Sequence, residues 1–159
     1  MKKIIFLYSG EGTSNRESSY KLLEHSKYWY EIRSILDSKL DLDLEKIWQN
    51  EIGKHRCPYS PLLTVVTQIC LSDIWNQWGY APDVVVGHSV GELSAAYQAD
   101  LYSLEEILLI TFQLGRIAAN LNGLMLHGEL SDQQINELTV NLSSLNFKQG
   151  CKALSASLI

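Results

Sequence analysis

The sequence predicts an α/β fold built on a parallel sheet. Two short apolar runs, 4–8 and 84–86, are separated by helix-forming sequence, and each run ends at a turn that contains glycine. Continuous apolar runs of this length are typical of strands buried on both faces of a parallel sheet. The segment 87–91 reads Gly-His-Ser-Val-Gly, directly after the second run and directly before a helix-forming stretch. This arrangement predicts a nucleophile elbow, a tight strand-to-helix turn that exposes a serine.

The N-terminal third is predicted to be mostly helical after its first strand. Ser14 and Glu17 have the spacing of a capping box, in which two side chains bond to the backbone at a helix start. A helical pattern of apolar residues then extends to Leu36. We expect a further short helix over 41–49 and a loop over 53–59.

The central helix is predicted to begin at the pair 60–61, with Ser60 as N-cap and Pro61 at the first helical position. It is expected to stop at Gly79, and its apolar residues lie nearly all round, which predicts deep packing. Ser103 and Glu106 form a second capping-box pattern, which predicts a helix from there to about residue 121.

The C-terminal tail has a different character. Segments 123–130 and 152–159 have the pattern of strands, and Ser131 opens a predicted helix that extends to about Ser144. The chain is therefore expected to contain two parts: a larger one over 1–122 and the incomplete beginning of a small subdomain over 123–159.

Composition excludes several functional classes. The 159 residues are 46% hydrophobic, enough for one domain with a core. A net charge of −5 with no basic stripe argues against a nucleic-acid-binding surface. The N-terminal apolar stretch is too short for a signal peptide, and no segment is long enough to span a membrane. Cys57, Cys70 and Cys151 are widely spaced, which predicts reduced thiols in a cytoplasmic protein and no zinc site or other metal site.

The elbow assigns roles to particular residues. Ser89 is the candidate nucleophile, and the helix after it directs free N–H groups and a partial positive charge toward an anion formed on the attacked carbonyl. Gly87 and Gly91 are required because the turn brings backbone segments too close together for a Cβ. The alternative is a buried strand–turn–helix with an incidental serine.

Four segments carry a more specific resemblance. Segment 6–13 is Phe-Leu-Tyr-Ser-Gly-Glu-Gly-Thr, 60–63 is Ser-Pro-Leu-Leu, 87–92 is Gly-His-Ser-Val-Gly-Glu, and 95–106 runs from Ala-Ala-Tyr-Gln-Ala to Ser-Leu-Glu-Glu. In order and spacing they resemble the acyltransferases that load acyl carrier proteins. That family includes malonyl-CoA:acyl-carrier-protein transacylases of fatty-acid synthesis and the acyltransferase domains of polyketide synthases. The resemblance extends to about Asn120, so it covers the family's N-terminal portion.

The resemblance implies an α/β-hydrolase-like large subdomain into which a ferredoxin-like small subdomain is inserted. It also implies that Ser89 accepts an acyl group from coenzyme A as an ester and passes it to the phosphopantetheine thiol of an acyl carrier protein, with ping-pong kinetics. Acyl-CoA is then the donor substrate, and no bound cofactor is expected. The backbone N–H groups of Glu11 and Val90 would hold the oxyanion.

Two positions depart from the family pattern. Glu11 stands where the family has glutamine, and its carboxylate opposes a nearby oxyanion unless it points away or is neutralised. The arginine that pairs with a malonyl carboxylate in the family corresponds to Leu114 here, and the nearest arginine is Arg116. Two residues correspond to about 200° of helix rotation, so Arg116 is expected to face elsewhere. Malonyl selectivity is in doubt, and Arg116 is either a substrate-binding residue or a surface charge.

The general base is the largest departure. The family's base is a histidine downstream of the small subdomain, and this chain ends at Ile159. None of the four histidines, His25, His55, His88 and His127, occupies that position. We therefore expect a fragment of a longer protein, or a chain that is completed by a C-terminal half or by self-association.

Three functions remain open from the sequence. The first is acyl transfer from coenzyme A to a carrier protein. The second is hydrolysis of acyl thioesters by the same elbow, which the displaced arginine and altered first loop favour. The third is a catalytically incomplete assembly module that docks to a synthase through its helical surface.

Overall fold

The computed structural model describes residues 3–11, 16–49 and 56–121, together with 131, 133–134 and 136–137. The chain divides into two compact units, Met1–Leu121 and Asn122–Ile159. In the second unit, Ser131 N donates to Gln134 Oε1 at 2.9 Å and Gln134 N donates to Ser131 Oγ at 3.3 Å, as at a helix start. The predicted strands 123–130 and 152–159 lie outside the described residues, so the beginning of a ferredoxin-like subdomain stays a prediction.

Two strands form the described sheet, and they are parallel as predicted. Strand β1 (Ile5–Tyr8) pairs with β2 (Val84–Gly87) over its whole length. The pairing continues one residue earlier, where Ile4 N donates to Asp83 Oδ2 at 2.8 Å. The carboxyl ends of both strands therefore meet at one edge, where a nucleophile elbow is expected.

The prediction that both strands are buried on both faces was wrong. The outer face carries four exposed apolar side chains: Ile5, Leu7, Val84 and Val86. Tyr8 on the opposite face is only 5% exposed. The described helices cover that inner face alone, which explains why a continuous apolar run does not by itself show two-sided burial.

Three short helices follow β1. They are α1 (Arg16–Leu23), α2 (Trp29–Leu40) and α3 (Leu44–Gln49). The predicted helical region up to residue 36 is thus two helices, separated by a turn in which the Ser26 hydroxyl donates to Asp73 Oδ2 at 2.8 Å. Ser14 lies outside the described residues, so its capping box stays a prediction.

Helix α4 (Tyr59–Gln77) is the centre of the larger unit. It is buried on nearly every side, as predicted. Its start differs from the prediction: Pro58 is the N-cap, no side chain caps the helix, and Ser60 and Pro61 lie inside the first turn. The first backbone hydrogen bonds of the helix are made to the turn over 56–58, where the N–H of Ser60 donates to the Arg56 carbonyl. The helix ends before Gly79, whose φ of +87° is a left-handed conformation suited to glycine.

Two helices complete the unit, α5 (Gly91–Gln98) and α6 (Leu104–Ala119). The predicted capping box at the start of α6 is confirmed, with Ser103 and Glu106 bonding reciprocally. Helix α4 packs against both α5 and α6. The core combines side chains from α2, α3, α4 and α6, including Trp29, Ile32, Leu36, Leu62, Leu63, Val66, Ile107 and Leu108. No helix in the described ranges has the length and apolar character needed to cross a membrane.

Candidate active site

Ser89 lies on a tight turn between β2 and α5. Its φ of +54° is left-handed, a conformation that costs a non-glycine residue about 1–3 kcal/mol and is concentrated at functional sites. The turn closes through the Gly91 N–H, which donates to the His88 carbonyl at 2.9 Å. Ser89 is exposed to solvent. The chain therefore adopts the elbow geometry that the sequence predicts.

Close backbone packing explains both glycines of the elbow. A Cβ at Gly87 would lie 2.5 Å from the backbone N of Glu92, and a Cβ at Gly91 would lie 2.6 Å from the Ser9 carbonyl oxygen. Real Cβ atoms essentially never approach other atoms so closely. Gly91 thus lets the first turn of α5 lie directly against the end of β1.

The loop after β1 lies beside the elbow. A Cβ at Gly10 would lie 3.3 Å from the Cβ of Ser89 and 3.0 Å from Nδ1 of His88. The His88 N–H donates to the Tyr8 carbonyl at 2.9 Å, which joins the two segments at their base. The structure therefore brings the first loop and Ser89 together.

Two backbone donors flank the serine. Val90 is the N-cap of α5, and Glu11 follows Gly10 in the first loop. Within the described residues, neither N–H donates a hydrogen bond to the protein. Both are positioned on elements next to Ser89, and α5 adds the partial positive charge of its N-terminus.

Glu11 is exposed, and its carboxylate acts on a neighbouring thiol. The pKa of Cys57 is raised, first by its partial burial and second by the Glu11 carboxylate. The Glu11 carboxylate is therefore close enough to Cys57 to act on its thiol electrostatically. Among the described residues, no lysine or arginine forms a salt bridge with Glu11.

Two residues at this site were missed from the sequence. The Gln68 side chain donates from Nε2 to the Ser9 carbonyl at 2.7 Å, and its Oε1 accepts from Ser94 Oγ at 2.6 Å. A polar side chain on a helix predicted to be deeply packed must find a partner, and this was the available signal. Nothing in the spacing of positions 9, 68 and 94 indicates which partner it finds.

The family assignment rests on comparison with known proteins. The family model described as "Acyl transferase domain" matches residues 5–141. The chain belongs to the acyl transferase domain family.

Relatives of this acyl transferase chain include much longer proteins. A highly reducing polyketide synthase, resH of Aspergillus sclerotiorum, is 33% identical over 125 residues, which is 71% of this chain and 5% of that protein. The acyl transferase domain of ZmaA has a TM-score of 0.73 at 22% identity, over 90% of this chain and 36% of that one. A malonyl-transacylase solved with a type II polyketide synthase acyl-carrier protein has a TM-score of 0.58 at 16% identity, over 73% of this chain and 38% of that one. This chain thus spans less than half the length of these relatives.

In this acyl transferase chain, Leu114 and Arg116 are both exposed on α6. Gly115 between them is buried, and a Cβ there would lie 2.7 Å from the Pro58 carbonyl oxygen. Because successive helical residues are about 100° apart, Leu114 and Arg116 lie on opposite flanks of this buried contact. Arg116 makes no salt bridge with another described residue.

No histidine is hydrogen-bonded to Ser89 among the residues that the structure describes. His88 contacts the first loop near Gly10, and His25 is exposed in the turn between α1 and α2. His55 and His127 lie outside the described ranges. Within those ranges no group of three or more metal-ligating side chains could hold a metal ion.

Proposed function

We propose that this chain carries the nucleophile of an acyl-carrier-protein acyltransferase. Ser89 Oγ attacks the thioester carbonyl of acyl-CoA, the C–S bond breaks, and coenzyme A leaves as a thiol while the acyl group stays on Ser89 as an ester. The phosphopantetheine thiol of an acyl carrier protein then attacks that ester, and Ser89 regains its hydroxyl. Splitting one transfer into two displacements in this way is nucleophilic catalysis.

The left-handed Ser89, exposed at the start of α5, carries this proposal. In this proposal the N–H groups of Val90 and Glu11 form the oxyanion hole, because Val90 directly follows Ser89, Glu11 follows Gly10 in the loop beside it, and neither N–H has a described protein partner. Removing one oxyanion donor typically costs about 10²–10³-fold in rate. These donors are backbone groups, so the glutamate side chain at position 11 does not remove one.

The proton of Ser89 requires a base that the described residues do not supply. We propose a histidine from elsewhere, either in the rest of a longer chain or in a complementing polypeptide. Loss of general-base catalysis alone costs about 10²–10⁴-fold, so a slow acylation is expected without it. The carrier-protein partner is supported by the similar malonyl-transacylase that was solved with one. A cytoplasmic location is consistent with the free thiols of Cys57 and Cys70.

We propose an uncharged acyl group as the preferred cargo. Leu114 is apolar where the resemblance places a carboxylate-binding arginine, and Arg116 lies on the other flank of Gly115. Replacing Arg116 by leucine should then change butyryl and malonyl transfer equally. If Arg116 instead binds a carboxylate, the substitution lowers malonyl transfer alone.

The test is direct detection of the ester. The chain, alone and together with the C-terminal remainder of an acyl transferase domain, is incubated with radiolabelled acyl-CoA, and the labelled peptide is identified by mass spectrometry. We expect label on Ser89, none in Ser89→Ala, and its transfer to added carrier protein. Absence of label with the C-terminal part present would favour the assembly module.

Thioester hydrolysis is the second candidate, favoured by the position of Leu114 and the carboxylate at Glu11. The same assay separates the two functions. Steady release of free acid without label on the carrier protein indicates a hydrolase, whereas stoichiometric labelling of the carrier protein indicates a transferase.

A further inference from the structure

Gln68 joins the loop beside Ser89 to helix α5 through the two ends of its side-chain amide. Nε2 donates to the Ser9 carbonyl at 2.7 Å, and Oε1 accepts from the Ser94 hydroxyl at 2.6 Å. The second bond fixes which end of the amide faces the loop, because a hydroxyl that donates to Oε1 leaves Nε2 directed at Ser9. The amide therefore has one orientation, set by its two partners.

Gln68 and its two partners, Ser9 and Ser94, come from three separate segments of the fold. Ser94 is buried on α5, the helix that begins at the elbow, and Gln68 is on the central helix α4. One turn further along α4, the Ser72 hydroxyl contacts the Tyr8 hydroxyl at 2.8 Å. The buried helix thus holds two successive residues at the end of β1, Tyr8 by its side chain and Ser9 by its carbonyl.

This restraint acts on the peptide that leads to the oxyanion hole. Ser9 is followed by Gly10, whose backbone is conformationally permissive and lies against Ser89, and then by Glu11, whose N–H is the proposed donor. A hydrogen bond on the Ser9 carbonyl limits rotation of the Ser9–Gly10 peptide. The direction of the next N–H groups depends on that rotation.

We propose that Gln68 is a positioning residue for acyl transfer, which directs the Glu11 N–H toward the acyl oxygen at Ser89, and that Ser94 sets the orientation of the Gln68 amide. This inference rests on the proposed function of Ser89. In this proposal Gln68 does not contact the acyl group. It acts through its hydrogen bond to the Ser9 carbonyl.

Two substitutions test this role, and a third is the control. Gln68→Met keeps the length of the side chain and removes both hydrogen bonds, while Gln68→Glu keeps an acceptor for Ser94 and loses the donor to Ser9. Gln77→Met is matched, because Gln77 is a glutamine on the same helix whose amide bonds to Asp73 at 2.8 Å, away from the elbow.

The kinetic readout is single-turnover formation of the Ser89 ester against acyl-CoA concentration, with the complementing C-terminal part present. For both Gln68 variants we expect the rate constant to fall by at least about 10-fold, and by no more than the 10²–10³-fold that complete loss of an oxyanion donor costs, with half-saturation unchanged. Gln77→Met should leave both parameters unchanged. A rise in half-saturation with no change in rate constant would overturn the inference.

A second readout does not need activity. Amide hydrogen exchange of segment 9–11 should be faster in Gln68→Met than in wild type, and unchanged in Gln77→Met. If wild type forms no ester, the proposed function fails, and the exchange data alone decide whether Gln68 orders this loop. Equal exchange in the two methionine variants would contradict the role of Gln68 whatever the kinetics show.

Discussion

Gly91 lies directly against the carbonyl oxygens of Tyr8 and Ser9, so that the first turn of α5 and the end of β1 are in backbone contact. This contact brings the N-terminus of a helix to the carboxyl end of a neighbouring strand. It leaves no space for a side chain at position 91, where a Cβ would lie 2.6 Å from the Ser9 oxygen and nearer still to that of Tyr8.

Gly91→Ala is therefore expected to destabilise the chain. The new methyl group must displace backbone atoms, and overpacking of this kind costs about 1–3 kcal/mol or more. Urea denaturation measures the free energy of unfolding. Gly79→Ala is the control, since Gly79 has a φ of +87° but a Cβ there would meet no atom within 4 Å. An equal loss in the two variants would show that the backbone contact at Gly91 is not the cause.

Ser89→Gly is expected to be more stable than Ser89→Ala. At a φ of +54° glycine avoids the steric cost that alanine retains, which is about 1 kcal/mol. Thermal unfolding compares the two variants, and neither should form the acyl ester. The same pair of substitutions at Val90, where φ is −58°, should give the reverse order. If alanine is preferred at both positions, the left-handed conformation of Ser89 is not maintained in solution.

Asp73→Ala is expected to lose several kcal/mol of stability. The carboxylate is buried and accepts hydrogen bonds from Ser26 Oγ, Lys27 N and Gln77 Nε2, each at 2.8 Å. Its removal leaves three donors without their acceptor, at about 1–3 kcal/mol for each one that stays buried.

Chemical denaturation measures this loss, with Lys27→Met as control. The Lys27 Nζ is 3.5 Å from Asp73 Oδ1, but the lysine side chain is 63% exposed, so its removal should cost no more than about 1 kcal/mol. A larger loss in Lys27→Met than in Asp73→Ala would contradict a role for Asp73 as a hydrogen-bond acceptor.

Cys70 should make stability depend on alkaline pH. Burial raises the pKa of its thiol from 9.0 to about 12, so the folded state retains a proton that the unfolded state loses. Its stabilising contribution is therefore complete below pH 9 and declines as the pH rises toward 12. In a variant with Cys57 and Cys151 replaced by serine, Cys70 should react with a thiol reagent at pH 8 only after denaturant is added. Rapid reaction of the native protein would show that the thiol is accessible.

The elbow could be predicted from sequence because its determinants are local. Gly87, Ser89 and Gly91 lie within five residues, and a strand and a helix on either side complete the pattern. The capping box of Ser103 and Glu106 is local in the same sense. The family resemblance also indicated that the first loop belongs to the site, and the fold places that loop beside Ser89.

Features that depend on distant partners could not be predicted. The break between α1 and α2 is stabilised by Ser26 bonding to Asp73, 47 residues later. The start of α4 is set by backbone bonds from the turn at Arg56 instead of by a serine side chain. Exposure of Leu7 and Val86 depends on which elements cover the sheet, and a strand's own composition does not contain that information.

The pairing of β1 with β2 has a consequence for the order of folding. The bond between Ile4 N and the Asp83 carboxylate spans 79 residues, and closing so long a loop precedes any gain from the contact. We therefore expect the local helices to form first and the strand pair later. The loop after β1 then comes into contact with Ser89 only near the end of folding. Pulse-labelled hydrogen exchange during refolding would contradict this order if the amides of 5–8 were protected before those of α4. During synthesis the first strand cannot pair until the second has been made, so the turn that carries Ser89 reaches its final geometry only after most of the core has formed.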